Sequence, residues 1–194
     1  ITGGANILAE GVQGTLMDLD HGVYPFVGNS TTTASGALTG LGLGAGSTHR
    51  VIGVCKAYQS HPGDGAFPTE IFEDKLIQQR GNGKNAGSQS EAPSRSARRF
   101  GWLDGVLLRY AIQINGITEL AITQLSALSR PETLRICTAY RAEDQIYRDL
   151  PLGPTNIDFE PIYEEFPGWQ GEILRARKWR QLPKEAQRFI KFIA

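Results

Sequence analysis

Only two cysteines occur among 194 residues, Cys55 and Cys137, and each lies inside an apolar run, VIGVCKAY and LRICTAY. That pattern reads as two buried thiols in a reducing compartment and makes a disulfide framework a poor explanation of the fold. No apolar run reaches the roughly 18 residues of a membrane span, and no charged-then-apolar leader opens the chain. Charge of one sign is lacking as well. Lysine plus arginine total 20, aspartate plus glutamate total 20, and the net charge is zero. No overall field draws in nucleic acid or an acidic membrane, so a phosphate ligand would need local donors. The expectation is a cytoplasmic protein that engages neither nucleic acid nor membrane.

Apolar residues make up 40% of the chain, enough for one packed core but scarcely for two. The chain opens almost directly into the apolar run NILAEG and stops in the helical pattern KEAQRFIKFIA. Termini are usually more polar than that, so a segment of a longer protein is expected.

NILAEG reads as a buried strand ending at a glycine, the place where α/β sheets put ligand loops. A glycine-rich tract follows, TTTASGALTGLGLGAGS, with Gly36, Gly40, Gly42, Gly44 and Gly46. HRVIGVCKAYQS predicts a second strand, with or without a helical turn before it, and HPGDGAFPTEIFE a turn-rich link. Residues 80–96, RGNGKNAGSQSEAPSRS, hold almost nothing apolar and predict a mobile loop or linker. In GWLDGVLLRYAIQING, Leu103, Val106, Leu107, Tyr110, Ala111 and Ile114 recur at three and four, an amphipathic helix closed by Asn115-Gly116. ELAITQL and LRICTAYR predict strands, and PKEAQRFIKFI a helix burying Ala186, Phe189 and Ile190. Helices alternating with two-sided strands argue an α/β fold on a mostly parallel central sheet flanked by helices.

Chemistry is suggested first by GVQGTLMDLDHG. In an extended chain Asp18 and Asp20 share one face while His21 points away. A metal site using all three is therefore geometrically poor, and hydrogen bonding in a turn is the expected role. Gln13, between Gly11 and Gly14, offers a donor and an acceptor where the backbone allows close approach.

These residues also carry a resemblance. EGVQGTLMDLDHGVYPFVGNSTTTASGALTGLGLG, KAYQSHPGDGAFPTEIF, RRFGWLDGVLLRYAIQINGITELAIT and EPIYEEFPGWQ closely resemble, in order, blocks of the adenylosuccinate synthetases. The likeness is broken only in the 80–97 loop and near 125–160. It implies that residues 1–194 are the central and C-terminal portion of one larger, P-loop-like domain, with 80–97 as a mobile substrate loop. It also implies a carbon–nitrogen ligase that joins IMP and aspartate with GTP and Mg2+. The purine 6-oxygen is phosphorylated, and the aspartate amine then displaces phosphate, chemistry that depends on clamping and positioning. The family's phosphate loop, catalytic aspartate and catalytic histidine align before Ile1, and its extreme C-terminus after Ala194. The segment is thus expected to hold no catalytic residue and no metal ligand, to leave Mg2+ to the N-terminal region, and to be inactive alone. A homodimer is implied for the parent.

Position by position, the resemblance puts Gln13 on a glutamine that contacts the IMP nucleotide. Gly28 falls where the family has a phosphate-holding threonine, and backbone N–H groups around Gly28 and Asn29 remain as donors. Pro62 and Gly63 match a turn beside the ribose. SRSARRFGW places Ser94, Arg95, Ser96, Arg98 and Arg99 in the region that grips the aspartate carboxylates, a task suited to the planar guanidinium. The first family arginine falls on Ser96, with Arg95 one residue away.

The sharpest departure is LAITQLSALS, where the family reads L-A-L-T-K-L-D-V-L-D and uses its lysine and aspartate on guanine. Gln124 and Ser126 stand there instead. Losing a carboxylate that accepts from both N1–H and the 2-amino group should cost roughly 2–4 kcal/mol of guanine preference, about 30- to 1000-fold. Adenine, with an acceptor at N1, suits a hydroxyl or carboxamide. ATP or dATP as donor is therefore an alternative to GTP. The change also resembles the phage-type branch that joins aspartate to dGMP, and a non-catalytic nucleotide-binding paralogue is a third reading.

Overall fold

The structure is a computed structural model that describes residues 6–47, 50–61, 64–72, 99–151, 158–171 and 173–194. Two compact units make it up: unit 1, Ile1–Gly53 with Arg109–Leu120, and unit 2, Val54–Leu108 with Ala121–Ala194. The 80–97 loop lies outside the described residues.

Unit 1 is held by directed hydrogen bonds. Its fully buried described residues are Asp18 and Thr33, with no apolar side chain among them. NILAEG is coil with Leu8 88% exposed, which corrects the strand expectation. A strand needs a neighbouring ladder, and the segment pairs with none among the described residues. A 3-10 turn, Thr15–Met17, follows, and then helix α1, Ala34–Leu41, inside the glycine-rich tract. Glycine weakens a helix, so α1 depends on what anchors its first turn. Gly36 is favoured there, because a Cβ would come within 2.6 Å of Thr31 Cγ2 and 3.2 Å of Thr31 O.

Strands β1, Ile52–Lys56, and β5, Glu119–Thr123, form a two-stranded sheet. Thr118 N donates to Val51 O and Ala57 N to Thr123 O, so the ladder advances the same way along both strands and the pair is parallel. Between them in sequence, β2, Gln59–His61, pairs antiparallel with β3, Arg99–Gly101. Helix α2, Gly105–Asn115, carries the predicted amphipathic pattern and ends at Gly116 with φ 59. Asp104 caps it, its Oδ1 accepting from Val106 N at 3.0 Å and Leu107 N at 3.1 Å.

Unit 2 is built on β6, Thr133–Ala142. It runs parallel to β4, Leu103–Asp104, and antiparallel to β7, Gln145–Tyr147, and β8, Glu160–Pro167. The fold is thus α/β with parallel elements and helices, and antiparallel neighbours complete its four-stranded sheet. The two-residue link from β6 to β7 explains one of them: Glu143 and Asp144 both have positive φ, the hairpin geometry that turns a chain straight back. Cys137 faces away from Leu134 and Ile136 by ordinary alternation, and a register shift between Cys137 and Ala139 turns Tyr140 to the same side as Cys137, so Leu134 and Ile136 join one cluster while Cys137 and Tyr140 join another.

Helix α3, Lys184–Ile193, covers the first cluster with Ala186 and Phe189, both fully buried. Phe189 meets Phe166 and Trp169 edge-on, with ring centroids 5.6 and 5.9 Å apart. Each such aromatic side chain stabilises the fold by about 1.5–3 kcal/mol. Both cysteines are free thiols. Among the described residues, no helix is long and apolar enough to cross a membrane.

Candidate functional site

In unit 1 the site is a loop drawn around one carboxylate. Asp18 is wholly buried, and its Oδ1 accepts from Asp20 N and His21 N, both at 3.0 Å. Its Oδ2 accepts from Thr32 N at 2.6 Å and Thr33 N at 3.2 Å. Burial on its own raises the carboxyl pKa, but the four amide donors outweigh it and hold the group below the ordinary range. DLDHG is therefore a turn organised by Asp18, as its spacing suggests. The same carboxylate fixes the entry to α1 through Thr33, the N-cap residue.

That turn brings two predicted residues together. Gln13 has φ 74 and Gly14 φ 104, a left-handed pair that turns the chain back toward Gly28. A Cβ at Gly28 would lie 3.1 Å from Gln13 Oε1 and 3.3 Å from Met17 O, so the position favours glycine where the family has threonine. Gly28 N donates to Met17 O at 2.8 Å, which leaves that amide committed within the loop. Gln13 and Asn29 are exposed. Tyr110, on α2, donates its hydroxyl to His21 O at 2.7 Å; burial and then the Asp18 charge push its phenol pKa up. Asn115, at the end of α2, accepts from Ala34 N at 2.7 Å and donates to Thr15 Oγ1 at 2.9 Å. The sequence marks Asn115 only as a helix stop; its reach across 81 residues has no local signal.

In unit 2, Pro62, Gly63, Ser94, Arg95, Ser96 and Arg98 lie outside the described residues. Arg99 is described, and its guanidinium is engaged with protein. Nε donates to Glu70 Oε1 at 2.9 Å, Nη2 to Glu70 Oε2 at 2.5 Å, and Nη1 to Gly65 O at 2.7 Å. The guanidinium also lies 5.3 Å from the centroid of the Phe67 ring. Hydrogen bonding to Glu70 pushes the Arg99 pKa up, so the cation is permanent.

Gln124 and Ser126 sit at the C-terminal end of β5, beside the end of β1, the edge of a parallel pair where ligands are usually met. Gln124 is held at φ 57, and its Oε1 accepts the hydroxyl hydrogen of buried Tyr58. Lys56, the last residue of β1, donates to Ser60 Oγ at 2.9 Å, with its ammonium 5.9 Å from the Tyr58 ring centroid. Ser126 opens onto a cavity of about 330 Å³ lined also by Ser129, Arg130, Gln170, Gly171, Ile173 and Leu174. Ser129 Oγ accepts from Trp169 Nε1 at 3.1 Å. Among the described lining residues there is no carboxylate.

Among the described residues, no group of three or more His, Cys, Asp or Glu side chains is placed to hold a metal ion, and the Asp18 oxygens are taken up by amides.

Comparison with known proteins decides the family. The adenylosuccinate synthetase profile matches residues 1–194. The chain belongs to the adenylosuccinate synthetase family. Curated family members are similar along nearly all of it: that of Trichlorobacter lovleyi is 43% identical over 192 residues, covering 98% of this chain and 44% of its own length. That of Acidothermus cellulolyticus is 44% identical over 189 residues, covering 96% and 43% respectively. The solved structure of the fully ligated adenylosuccinate synthetase from Plasmodium falciparum superposes with a TM-score of 0.83 at 31% identity, covering 95% of this chain and 44% of that one. The chain thus spans less than half the length of these family members.

Proposed function

We propose that this chain supplies part of the substrate pocket of an adenylosuccinate synthetase, which converts IMP, aspartate and GTP to adenylosuccinate, GDP and phosphate. The observation that carries the reading is the meeting of Gln13 and Gly28 on one turn, in a chain matched by the family profile from end to end. Gln13 offers a carboxamide to the purine nucleotide, and the backbone at Asn29 lies beside its phosphate. The family resemblance assigns residues 94–98 to the aspartate carboxylates and Pro62 and Gly63 to the ribose. Arg99, already forked onto Glu70, braces its own strand β3 instead of gripping the ligand itself. Gln124 and Ser126 meet the donor base.

Within this reading the chain binds and orients, and the phosphoryl-transfer residues and the Mg2+ that neutralises phosphate charge belong to the family's N-terminal portion. A cytoplasmic homodimer is the proposed setting. The test is product formation by the full-length gene product that contains this chain, followed by ultraviolet absorbance with IMP, aspartate and Mg-GTP, each omitted in turn. Adenylosuccinate formed only in the complete mixture is expected. No product with GTP or ATP as donor and IMP or dGMP as acceptor would leave a non-catalytic nucleotide-binding paralogue.

A second reading keeps the ligase but changes the donor. Ser126 presents one short hydroxyl to this cavity, too small to accept from both guanine N1–H and the 2-amino group, which favours ATP or dATP over GTP and extends to the phage-type use of dGMP as acceptor. Parallel assays with GTP and ATP separate the two, and a GTP preference above tenfold ends the second.

A further inference from the structure

We propose that Asn115 is a positioning residue for the acceptor nucleotide, acting through Gln13. The inference deepens the proposed function and rests on Gln13 meeting the purine monophosphate.

Asn115 is the last residue of α2, yet its carboxamide serves the loop more than the helix. Oδ1 accepts from Ala34 N at 2.7 Å, and Nδ2 donates to Thr15 Oγ1 at 2.9 Å and to Ala111 O at 2.8 Å. Thr15 lies two residues after Gln13, and Ala34 opens α1. One half-buried side chain therefore fastens both flanks of the segment that carries Gly28 and Asn29. The bond to Ala111 keeps the carboxamide oriented, so neither of its N–H hydrogens is left to rotate toward another partner.

The consequence falls on Gln13. Its backbone is left-handed at φ 74, a conformation that costs a side-chain-bearing residue roughly 1–2 kcal/mol. Such a residue persists only where its neighbours over-determine it. On the C-terminal side those neighbours are Gly14, whose carbonyl accepts from Thr32 Oγ1 at 2.7 Å, and Thr15, held by Asn115. The Gln13 carboxamide itself is exposed and lies against Gly28. Removing the Asn115 tie lets the Gln13 backbone relax toward extended conformations. The pocket is then competent only part of the time, and affinity falls by that fraction. Donor triphosphate and aspartate, met elsewhere, are unaffected.

The experiment uses the full-length gene product, with IMP as the calorimetric probe and steady-state KM values for IMP, aspartate and the triphosphate. Asn115→Ala is expected to weaken IMP about tenfold while the other two KM values stay within about twofold. The double variant Gln13→Ala/Asn115→Ala is expected to bind IMP no more weakly than Gln13→Ala alone, because the tie acts through that side chain. Thr15→Val removes only the hydroxyl that Asn115 grips and is expected to move IMP affinity the same way by about threefold, which keeps the test open if Asn115→Ala fails to fold. Unchanged IMP affinity in Asn115→Ala, or in Thr15→Val where that variant carries the test, overturns the proposal. So does a double variant whose losses multiply. If Gln13→Ala itself leaves IMP affinity unchanged, the assignment of Gln13 to the nucleotide fails, and the two failures are told apart.

Discussion

Tyr58 donates its hydroxyl hydrogen to the carboxamide oxygen of Gln124, 66 residues further along the chain. The phenol is buried and the glutamine is exposed, so the bond fixes a surface side chain from inside the core. Tyr58→Phe should leave the fold intact at a cost of about 1 kcal/mol, the usual worth of one hydrogen bond. With Gln124 at the donor base, the KM for the triphosphate should rise several-fold while that for IMP stays put. Steady-state kinetics with each substrate varied in turn reads this directly.

Ser126→Asp should move donor preference toward GTP. The new carboxylate accepts from both guanine N1–H and the 2-amino group and repels the acceptor N1 of adenine. A change of roughly 30-fold or more in the GTP:ATP ratio of kcat/KM is expected, and a change under threefold would place the base elsewhere.

Asp18→Asn replaces an all-acceptor group by one with a single acceptor oxygen, although four backbone amides point at it. A loss of about 2–4 kcal/mol is expected from the stranded amides, read as a lower urea midpoint. The pH dependence carries the same sign. The folded pKa of Asp18 is depressed, so its contribution is fully present above the unfolded carboxyl value of about 3.9 and is lost as pH falls through the lower folded value. The urea midpoint of the parent should fall more steeply than that of the variant as pH drops below about 4.

Arg99→Lys should destabilise unit 2 by about 1–2 kcal/mol, since an ammonium cannot bridge both Glu70 oxygens and Gly65 O at once. The Arg99 and Glu70 side chains are 27% and 14% exposed, so the effect should persist at 0.5 M salt, where a surface pair would be screened. Thermal melts at two salt concentrations test it.

Much of the regular structure was legible because its elements advertise themselves locally. Helix α2 shows apolar spacing and the Asn115-Gly116 stop, β5 and β6 are apolar runs of strand length, and α3 follows Pro183. The stretch 6–47 of unit 1 was legible in its turn chemistry alone. Helix α1 hides in a glycine tract of poor intrinsic propensity, and its first turn is anchored by Asn115 and Asp18 from elsewhere in the chain. NILAEG has the composition of a strand but no ladder to join among the described residues, so composition misled. At the candidate site, Gln13 and Gly28 could be named from the likeness to the family, whereas Tyr58 and Asn115 are joined to it only by contacts across 66 and 81 residues.

The two units should also tolerate change differently. In unit 2 the interior is grease around Trp169 and Phe189, which can trade one hydrocarbon for another and resettle. The heart of unit 1 is an aspartate gripped by peptide groups, and no natural side chain shares its size and its four lone-pair directions. Drift across orthologues should therefore be free among the aliphatic positions of the one and nearly frozen at the single acid of the other.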